Sequence, residues 1–88
     1  MGNVTRADVQ AGLQEIFRNV FNDDSIVISD TTTAQNISGW DSLQQIKIIL
    51  ACEKKFAIRL RARDINALEN AGEMIDHLMS AITKSLQK

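Results

Sequence analysis

Residues 39–56, GWDSLQQIKIILACEKKF, carry the strongest pattern in this 88-residue chain. Projected at about 100° per residue, the segment from Ser42 to Phe56 separates its apolar side chains into two stripes. One stripe consists of Ile48, Ile49, Cys52 and Phe56. The other, on another side of the cylinder, consists of Leu43, Ile46 and Leu50. The segment is therefore predicted to form a helix with one apolar face more than a small core needs.

The second stripe has two interpretations. Compact exposed apolar patches often mark interaction sites, and Lys47 and Lys54 flank this stripe as they would flank a partner-binding face. Alternatively, a helix at the centre of a small bundle is covered on both sides. The pattern favours the partner face, and both interpretations stay open at this stage.

Ser42 stands where the polar loop ends and this helix begins. Serine is a favoured N-cap, and Ser42 with Gln45 fits a capping box. If Asp41 is the N-cap instead, Ser42 becomes the first helical residue and its hydroxyl can point outward. The free backbone N–H groups of the first turn could then meet an attached phosphate, so this second arrangement suits covalent modification.

A first amphipathic helix and a long loop precede this segment. The helix is predicted from about Thr5 to Phe21, with Thr5 and Asp8 resembling a capping box. The loop then runs from about Asn22 to Asp41 and is mostly polar. Its isolated apolar residues should pin it to the bundle: Ile26, Val27, Ile28, Ile37 and Trp40.

Two further helices should follow. Residues 64–68 look like a helical turn or two, and a last helix begins near Asn70 or Gly72, where Asn70 and Glu73 make an N-cap pair. Its buried stripe should consist of Ile75, Leu78, Met79, Ile82 and Leu86. The chain is thus predicted to be all-α: a small four-helix bundle, three helices long and one short, in a single domain over residues 1–88.

Composition limits the class of protein. The chain is 44% hydrophobic and 24% charged, which is typical of a globular protein, and no apolar run approaches the roughly 20 residues of a membrane span. We see no signal-peptide hydrophobic region and expect a cytoplasmic location. A single cysteine, Cys52, and a single histidine, His77, rule out an intrachain disulfide and leave only carboxylates for a metal site.

Charge is distributed unevenly. Residues 1–41 hold two basic and six acidic residues, a net charge of −4, whereas residues 42–88 hold eight basic and five acidic residues, a net charge of +3. The basic stretch from Lys47 to Arg63 could contact an anionic surface or could be a solvated face. Net acidity and a single tryptophan argue against a nucleic-acid partner.

The residue inventory does not support catalysis. A nucleophilic serine needs a base, but His77 lies inside the last helix between core positions. The residue two after Ser42 is Gln44, so the Gly-x-Ser-x-Gly elbow is missing, and the chain has no phosphate-binding glycine loop. Cys52 falls on the core stripe, where burial makes a thiol inert. We therefore expect a protein that is not an enzyme.

At Gly39-Trp40-Asp41-Ser42-Leu43 the chain resembles the acyl carrier protein family, and the resemblance extends over essentially its whole length. It implies that a phosphopantetheinyl transferase attaches 4'-phosphopantetheine from coenzyme A to Ser42. The arm would then carry an acyl or aminoacyl group as a thioester between acyl-loading and acyl-transfer enzymes. Asp41 matches the acid associated with transferase recognition, while Leu43, Ile46 and Leu50 match the partner-facing positions.

One feature departs from that family. Typical fatty-acid carriers resemble one another in an acidic second helix, whereas this helix has Lys47, Lys54 and Lys55 against one acid, Glu53. Electrostatic attraction to basic enzyme patches should be weak or reversed, which suggests a specialised, monomeric carrier in lipid or secondary-metabolite biosynthesis. The alternative is a non-catalytic helix-bundle interaction module in which Ser42 stays unmodified.

Overall fold

The computed structural model describes residues 5–37 and 39–86, which form four α-helices and one short 3-10 turn. The α-helices are α1 (Arg6–Phe21), α2 (Ser42–Phe56), α3 (Ala62–Asn66) and α4 (Ala71–Leu86), and the 3-10 turn is Ala34–Asn36. These ranges contain no β-strand. The predicted all-α bundle of three long helices and one short one is therefore confirmed.

The core lies between the apolar faces of the three long helices. Helix α1 packs against both α2 and α4, and α3 packs against α2. The largest fully buried side chains are Val9, Leu13, Phe17, Ile28, Ile48, Cys52, Ile75 and Leu78. The predicted stripe of α4 is buried except for Met79, which is half-buried, and the Leu86 side chain, which lies outside the described part of the chain. No described helix is both long enough and apolar enough to traverse a lipid bilayer.

The predicted helix starts are close to the observed ones. The Thr5 hydroxyl accepts from the Asp8 backbone N–H at 3.1 Å, and the Asp8 carboxylate accepts from the Thr5 N–H, completing the capping box. The side chain of Asn70 accepts from the Glu73 N–H at 2.8 Å and begins α4. Only α3 differs, because it starts two residues before the predicted segment, at Ala62.

Polar side chains on α1 hold the loop between α1 and α2. Gln14 accepts a hydrogen bond from the Ile28 N–H at 3.0 Å, and Gln10 donates to the Ile28 carbonyl at 3.1 Å. One turn further along, the Arg18 guanidinium donates to the Ile26 carbonyl at 2.7 Å. Because these residues are four apart, they form one row on α1 that fixes the loop backbone. The Ile28 side chain between them is buried, as predicted, whereas Val27 is 72% exposed, so the prediction that it also pins the loop is wrong.

The same loop closes the start of α4. The carbonyls of Asp30 and Thr32 accept from the N–H groups of Gly72 and Ala71 at 3.0 and 2.7 Å. Any Cβ at residue 72 would lie 2.6 Å from the Asp30 carbonyl oxygen, so glycine permits this approach. Arg6 joins the same junction through ion pairs to Asp30 and Asp76, which raise the pKa of its guanidinium.

Candidate functional site

Asp41 is the N-cap of α2. Its backbone is extended, with φ −125° and ψ −171°, and its Oδ1 accepts from the Gln44 N–H at 3.0 Å. Its carbonyl accepts the first helical bond, from the Gln45 N–H at 2.9 Å. Gly39, two residues earlier, has a φ of +86°, the left-handed conformation that glycine tolerates best. Of the two arrangements that the sequence allowed, the structure has the one with Asp41 as the cap.

Ser42 is accordingly the first helical residue, and its side chain is exposed. Within the described residues its hydroxyl has no hydrogen-bond partner, since the capping role belongs to Asp41. The first N–H groups of a helix have no intrahelical acceptor and carry the positive end of the helix dipole. The site therefore combines an accessible hydroxyl with a local field that favours an attached phosphate.

Trp40 fixes the chain as it enters α2. Its indole packs edge-on against Phe17 of α1, with ring centroids 5.0 Å apart and planes at 87°. Its Nε1–H donates to the Gln45 Oε1 at 2.7 Å, so one side chain links α1, the loop and the first turn of α2. The Gln45 side chain is thus bonded to Trp40, while the capping hydrogen bond is made by Asp41. The predicted packing role of Trp40 is confirmed, and the packing also sets the direction of the chain at Ser42.

The two apolar stripes of α2 have opposite environments. Ile48, Ile49 and Cys52 are buried, and Phe56 is half-buried against the core. Leu43, Ile46 and Leu50 instead expose 59%, 51% and 60% of their surface. The bundle therefore does not cover α2 on both sides, and of the two interpretations of the second stripe only the exposed face agrees with the structure.

The charged side chains of α2 also form two groups, those bonded to other parts of the bundle and those that stay exposed. Glu53 accepts from the Leu60 N–H at 2.8 Å, and Lys55 pairs with Glu15 of α1 at 3.8 Å. Lys47 and Lys54 are exposed, and among the described residues neither forms an ion pair. The exposed face of α2 is thus apolar with two available ammonium groups at its edge.

The remaining chemically active residues lie elsewhere. His77 is half-buried on α4 and lines a groove with residues 57–61, beyond the end of α2 opposite to Ser42. Cys52 is buried, and that burial, with a smaller contribution from the charge of Glu53, raises the pKa of its thiol to about 12. Within 5–37 and 39–86, no group of His, Cys, Asp and Glu side chains could hold a metal ion. Neither the His77 imidazole nor the Cys52 thiol therefore lies at Ser42, and the neighbouring Asp41 carboxylate caps the helix.

Sequence reasoning missed the polar row on α1 that positions the loop, Gln10, Gln14 and Arg18. Their spacing was visible, but long polar residues opposite an apolar stripe are ordinarily a solvated face. It also missed the groove, because its two walls are distant in sequence. Both depend on tertiary packing rather than on a local pattern.

Comparisons with known proteins point to one family. The sequence profile described as "Phosphopantetheine attachment site" matches residues 11–78, well over half of the chain. The chain is 25% identical over 81 residues to the acyl carrier protein of Acidothermus cellulolyticus, which covers 89% of this chain and 93% of that protein. It also matches the solution NMR structure of the holo acyl carrier protein of Geobacter metallireducens, with a TM-score of 0.82 and 33% identity over 90% of this chain and 91% of that one.

Proposed function

The chain belongs to the acyl carrier protein family, whose cofactor is covalently attached phosphopantetheine, and from that premise we propose that Ser42 is the attachment residue. It is a carrier protein rather than an enzyme, and its partners are enzymes that load and process acyl groups. In this proposal the thiol of the arm holds an acyl or aminoacyl group as a thioester. The alternative, an interaction module with an unmodified Ser42, has less support because the chain matches the family over its attachment region.

The attachment step is a phosphoryl-type transfer at the Ser42 oxygen. That oxygen forms a bond to the phosphorus that bears the pantetheine group in coenzyme A. The bond from this phosphorus to the oxygen bridging the two phosphates breaks, and the nucleotide leaves as adenosine bisphosphate. We propose that the hydroxyl proton passes to a base that the transferase supplies, because the neighbouring carboxylate, that of Asp41, is engaged in capping α2. The product is a phosphodiester with one negative charge at the start of α2.

The observation that carries this proposal is the division of roles between Asp41 and Ser42. Because Asp41 caps the helix, esterification of Ser42 removes no structural hydrogen bond. The resulting charge lies at the positive end of α2, where an anion contributes roughly 0.3–1 kcal/mol of stabilisation. We also propose that the transferase recognises Asp41, which is exposed beside the reacting hydroxyl.

The docking face, defined here as Leu43, Ile46 and Leu50 with Lys47 and Lys54, should be the surface presented to partners. If a partner covered the exposed part of its three apolar side chains, the hydrophobic effect would contribute roughly 3–5 kcal/mol in total to the free energy of binding. Association itself costs roughly 4–15 kcal/mol, so this contact supports only a weak complex that depends on charges at its edge. Weak complexes dissociate rapidly, which is what a carrier that visits several enzymes requires.

The charge of the docking face suggests a specialised pathway. Its available charges are the ammonium groups of Lys47 and Lys54, and the one carboxylate of α2, that of Glu53, is bonded to the Leu60 N–H. Enzymes that carry acidic groups around an apolar cleft would be attracted to this face, whereas enzymes with basic patches would be repelled. We therefore propose a dedicated lipid or secondary-metabolite pathway rather than bulk fatty-acid synthesis.

Intact-mass measurement tests the attachment site. The apo chain is incubated with coenzyme A and a broad-specificity phosphopantetheinyl transferase, and we expect a mass gain of one phosphopantetheine group. Ser42→Ala should gain nothing, while Ser80→Ala, which removes another exposed serine hydroxyl, should be loaded like the wild type. No gain in the wild type, or an equal gain in Ser42→Ala, would overturn the assignment.

A charge reversal tests the docking face. The double variant Lys47→Glu/Lys54→Glu, once loaded, should accept acyl groups from a general fatty-acid synthase set several-fold faster than the wild type, because repulsion becomes attraction. Arg63→Glu, which reverses one charge on α3, is the control and should change the rate little. Equal rates for the wild type and the double variant would contradict the proposal that the positive charge of the docking face disfavours such enzymes.

Three further expectations belong to this proposal. They are a single domain over residues 1–88, a monomeric state and a cytoplasmic location. Light scattering after size exclusion measures the oligomeric state of the holo form. A dimer at micromolar concentration would contradict the monomer.

A further inference from the structure

A groove of about 710 Å³ lies beyond the last turn of α2, at the opposite end of that helix from Ser42. One wall is the connector 57–61, and the other is a face of α4 formed by His77, Ser80, Ala81 and Lys84. These α4 positions are three or four residues apart and therefore lie along one side of the helix. The groove is separate from the docking face, because it contains none of the docking-face residues.

Three cationic side chains line this groove: Arg59, Arg61 and Lys84. All three are exposed, and in the part of the chain that the structure describes none of them takes part in an ion pair. One carboxylate, that of Asp64, lies among them. The groove thus keeps an excess of positive charge that its own walls do not neutralise.

The two arginines are held in position by the connector. Ile58 is buried and Leu60 half-buried, so the intervening and following residues, Arg59 and Arg61, face outward as alternation requires. The Leu60 N–H donates to Glu53 at 2.8 Å, which ties the connector to α2. The arginines therefore project from a fixed backbone rather than from a loose loop.

The lining also has an apolar part. Ile58, Leu60 and Ala81 contribute to it between the cations. A free inorganic anion would use only the charges, and a bilayer surface cannot enter a concave groove. A nucleic acid would bind chiefly through its phosphates and would leave the apolar lining unused. An acidic polypeptide segment with alternating apolar side chains would match both the charges and the apolar lining.

We propose that this groove, lined by Arg59, Arg61 and Lys84, is a second docking site that binds an acidic, partly apolar segment of a partner protein. It is independent of the attachment to Ser42, because it lies at the other end of α2. A partner could therefore hold the carrier at this groove while the residues around Ser42 stay accessible.

An NMR titration tests the proposal on the full 88-residue chain. The probe is a hexapeptide that alternates glutamate and leucine, added at low ionic strength while backbone amide shifts are followed. We expect saturable shifts at residues 57–61 and 77–84, and an affinity that falls severalfold at physiological salt. The double variant Arg59→Glu/Arg61→Glu should bind roughly fivefold or more weakly. Arg63→Glu reverses a charge two residues away but outside the groove, and should bind like the wild type.

Several outcomes would overturn the proposal. These are the absence of saturable shifts, shifts centred on Leu43, Ile46 and Leu50, and equal weakening in Arg63→Glu. Equal perturbation by inorganic phosphate alone would show a simple anion site instead. Circular dichroism verifies that each variant is folded, and Lys84→Glu, on the opposite wall, provides a second independent variant. Loading of Ser42 should be unchanged in all of them, so that failure here is distinguishable from failure of the attachment site.

Discussion

The two apolar faces of α2 have nearly the same composition and opposite environments. Ile48 is completely buried, whereas Ile46, half a turn away on the same helix, exposes 51% of its surface. The buried face packs against α1 and the core, while Leu43 and Leu50 stay more than half exposed on the other side. The side chains are alike, so their position on the helix decides their environment.

This difference separates residues that stabilise the fold from residues available for binding. A fully buried isoleucine contributes roughly 1.5–3 kcal/mol through the hydrophobic effect, and a half-exposed one correspondingly less. The exposed stripe therefore contributes little to the stability of the bundle. The stability of the folded chain alone does not explain why these positions are apolar. Together with the uncovered ammonium groups of Lys47 and Lys54, the exposed stripe is better explained by association with another molecule.

The largest effect is expected from Ile48→Ala. Removing this side chain leaves a cavity in the core, and the free energy of unfolding should fall by about 2–5 kcal/mol. Urea denaturation followed by circular dichroism measures the change. Ile46→Ala removes the same atoms from the exposed face and is the matched control. If the two variants lost equal stability, the distinction between the two faces would be wrong.

An intermediate effect on stability is expected from Asp41→Ala, because Asp41 caps the first turn of α2, from which both apolar faces begin. Loss of the hydrogen bond to the Gln44 N–H should reduce the free energy of unfolding by about 1 kcal/mol. Asp41→Asn retains a capping oxygen and should preserve most of the stability while changing the charge beside Ser42. Comparing how rapidly a transferase loads the two variants then separates the capping role from recognition of the carboxylate. Wild-type stability in Asp41→Ala would refute the capping role.

The smallest effect on stability is expected from Leu50→Ala. Leucine and alanine both favour helix, and the Leu50 side chain is 60% exposed. The free energy of unfolding should therefore change by no more than about 0.5 kcal/mol. Transfer of an acyl group from a partner enzyme should nevertheless slow, because part of the docking face is removed. Stopped-flow or gel-based acyl transfer measures that rate. A variant that lost several kcal/mol yet transferred normally would contradict the proposed assignment of Leu50.

Local pattern was sufficient for the three long helices and for the two faces of α2, whereas α3 was predicted two residues too late. The bounds Ser42–Phe56 match the prediction, and the stripes lie where the helical projection put them. The choice between Asp41 and Ser42 as the cap could not be made, because both residue types are good N-caps. In the structure Asp41 is the cap, because its side chain accepts the Gln44 N–H and Ser42 is already helical.

Features that depend on segments distant in sequence were not predictable. The hydrogen bonds of Gln10, Gln14 and Arg18 to the loop require α1 and the loop to be packed together first. The close approach of Gly72 to Asp30 likewise joins residues that no periodicity relates. The sequence predicted only the basic stretch that forms one wall of the groove. The other wall comes from α4, which is distant in sequence.

The burial of Cys52 has a consequence for the proposed cargo. A carrier with a phosphopantetheine arm would contain two thiols, that of the arm and that of Cys52, and a thioester can pass from one thiolate to another by direct exchange. Cys52 is 1% exposed and its pKa is raised to about 12, so near neutral pH it is neither accessible nor ionised. The protein's own thiol is thus a poor acceptor, and an acyl group on the arm would be transferred to an enzyme rather than to the carrier's own cysteine.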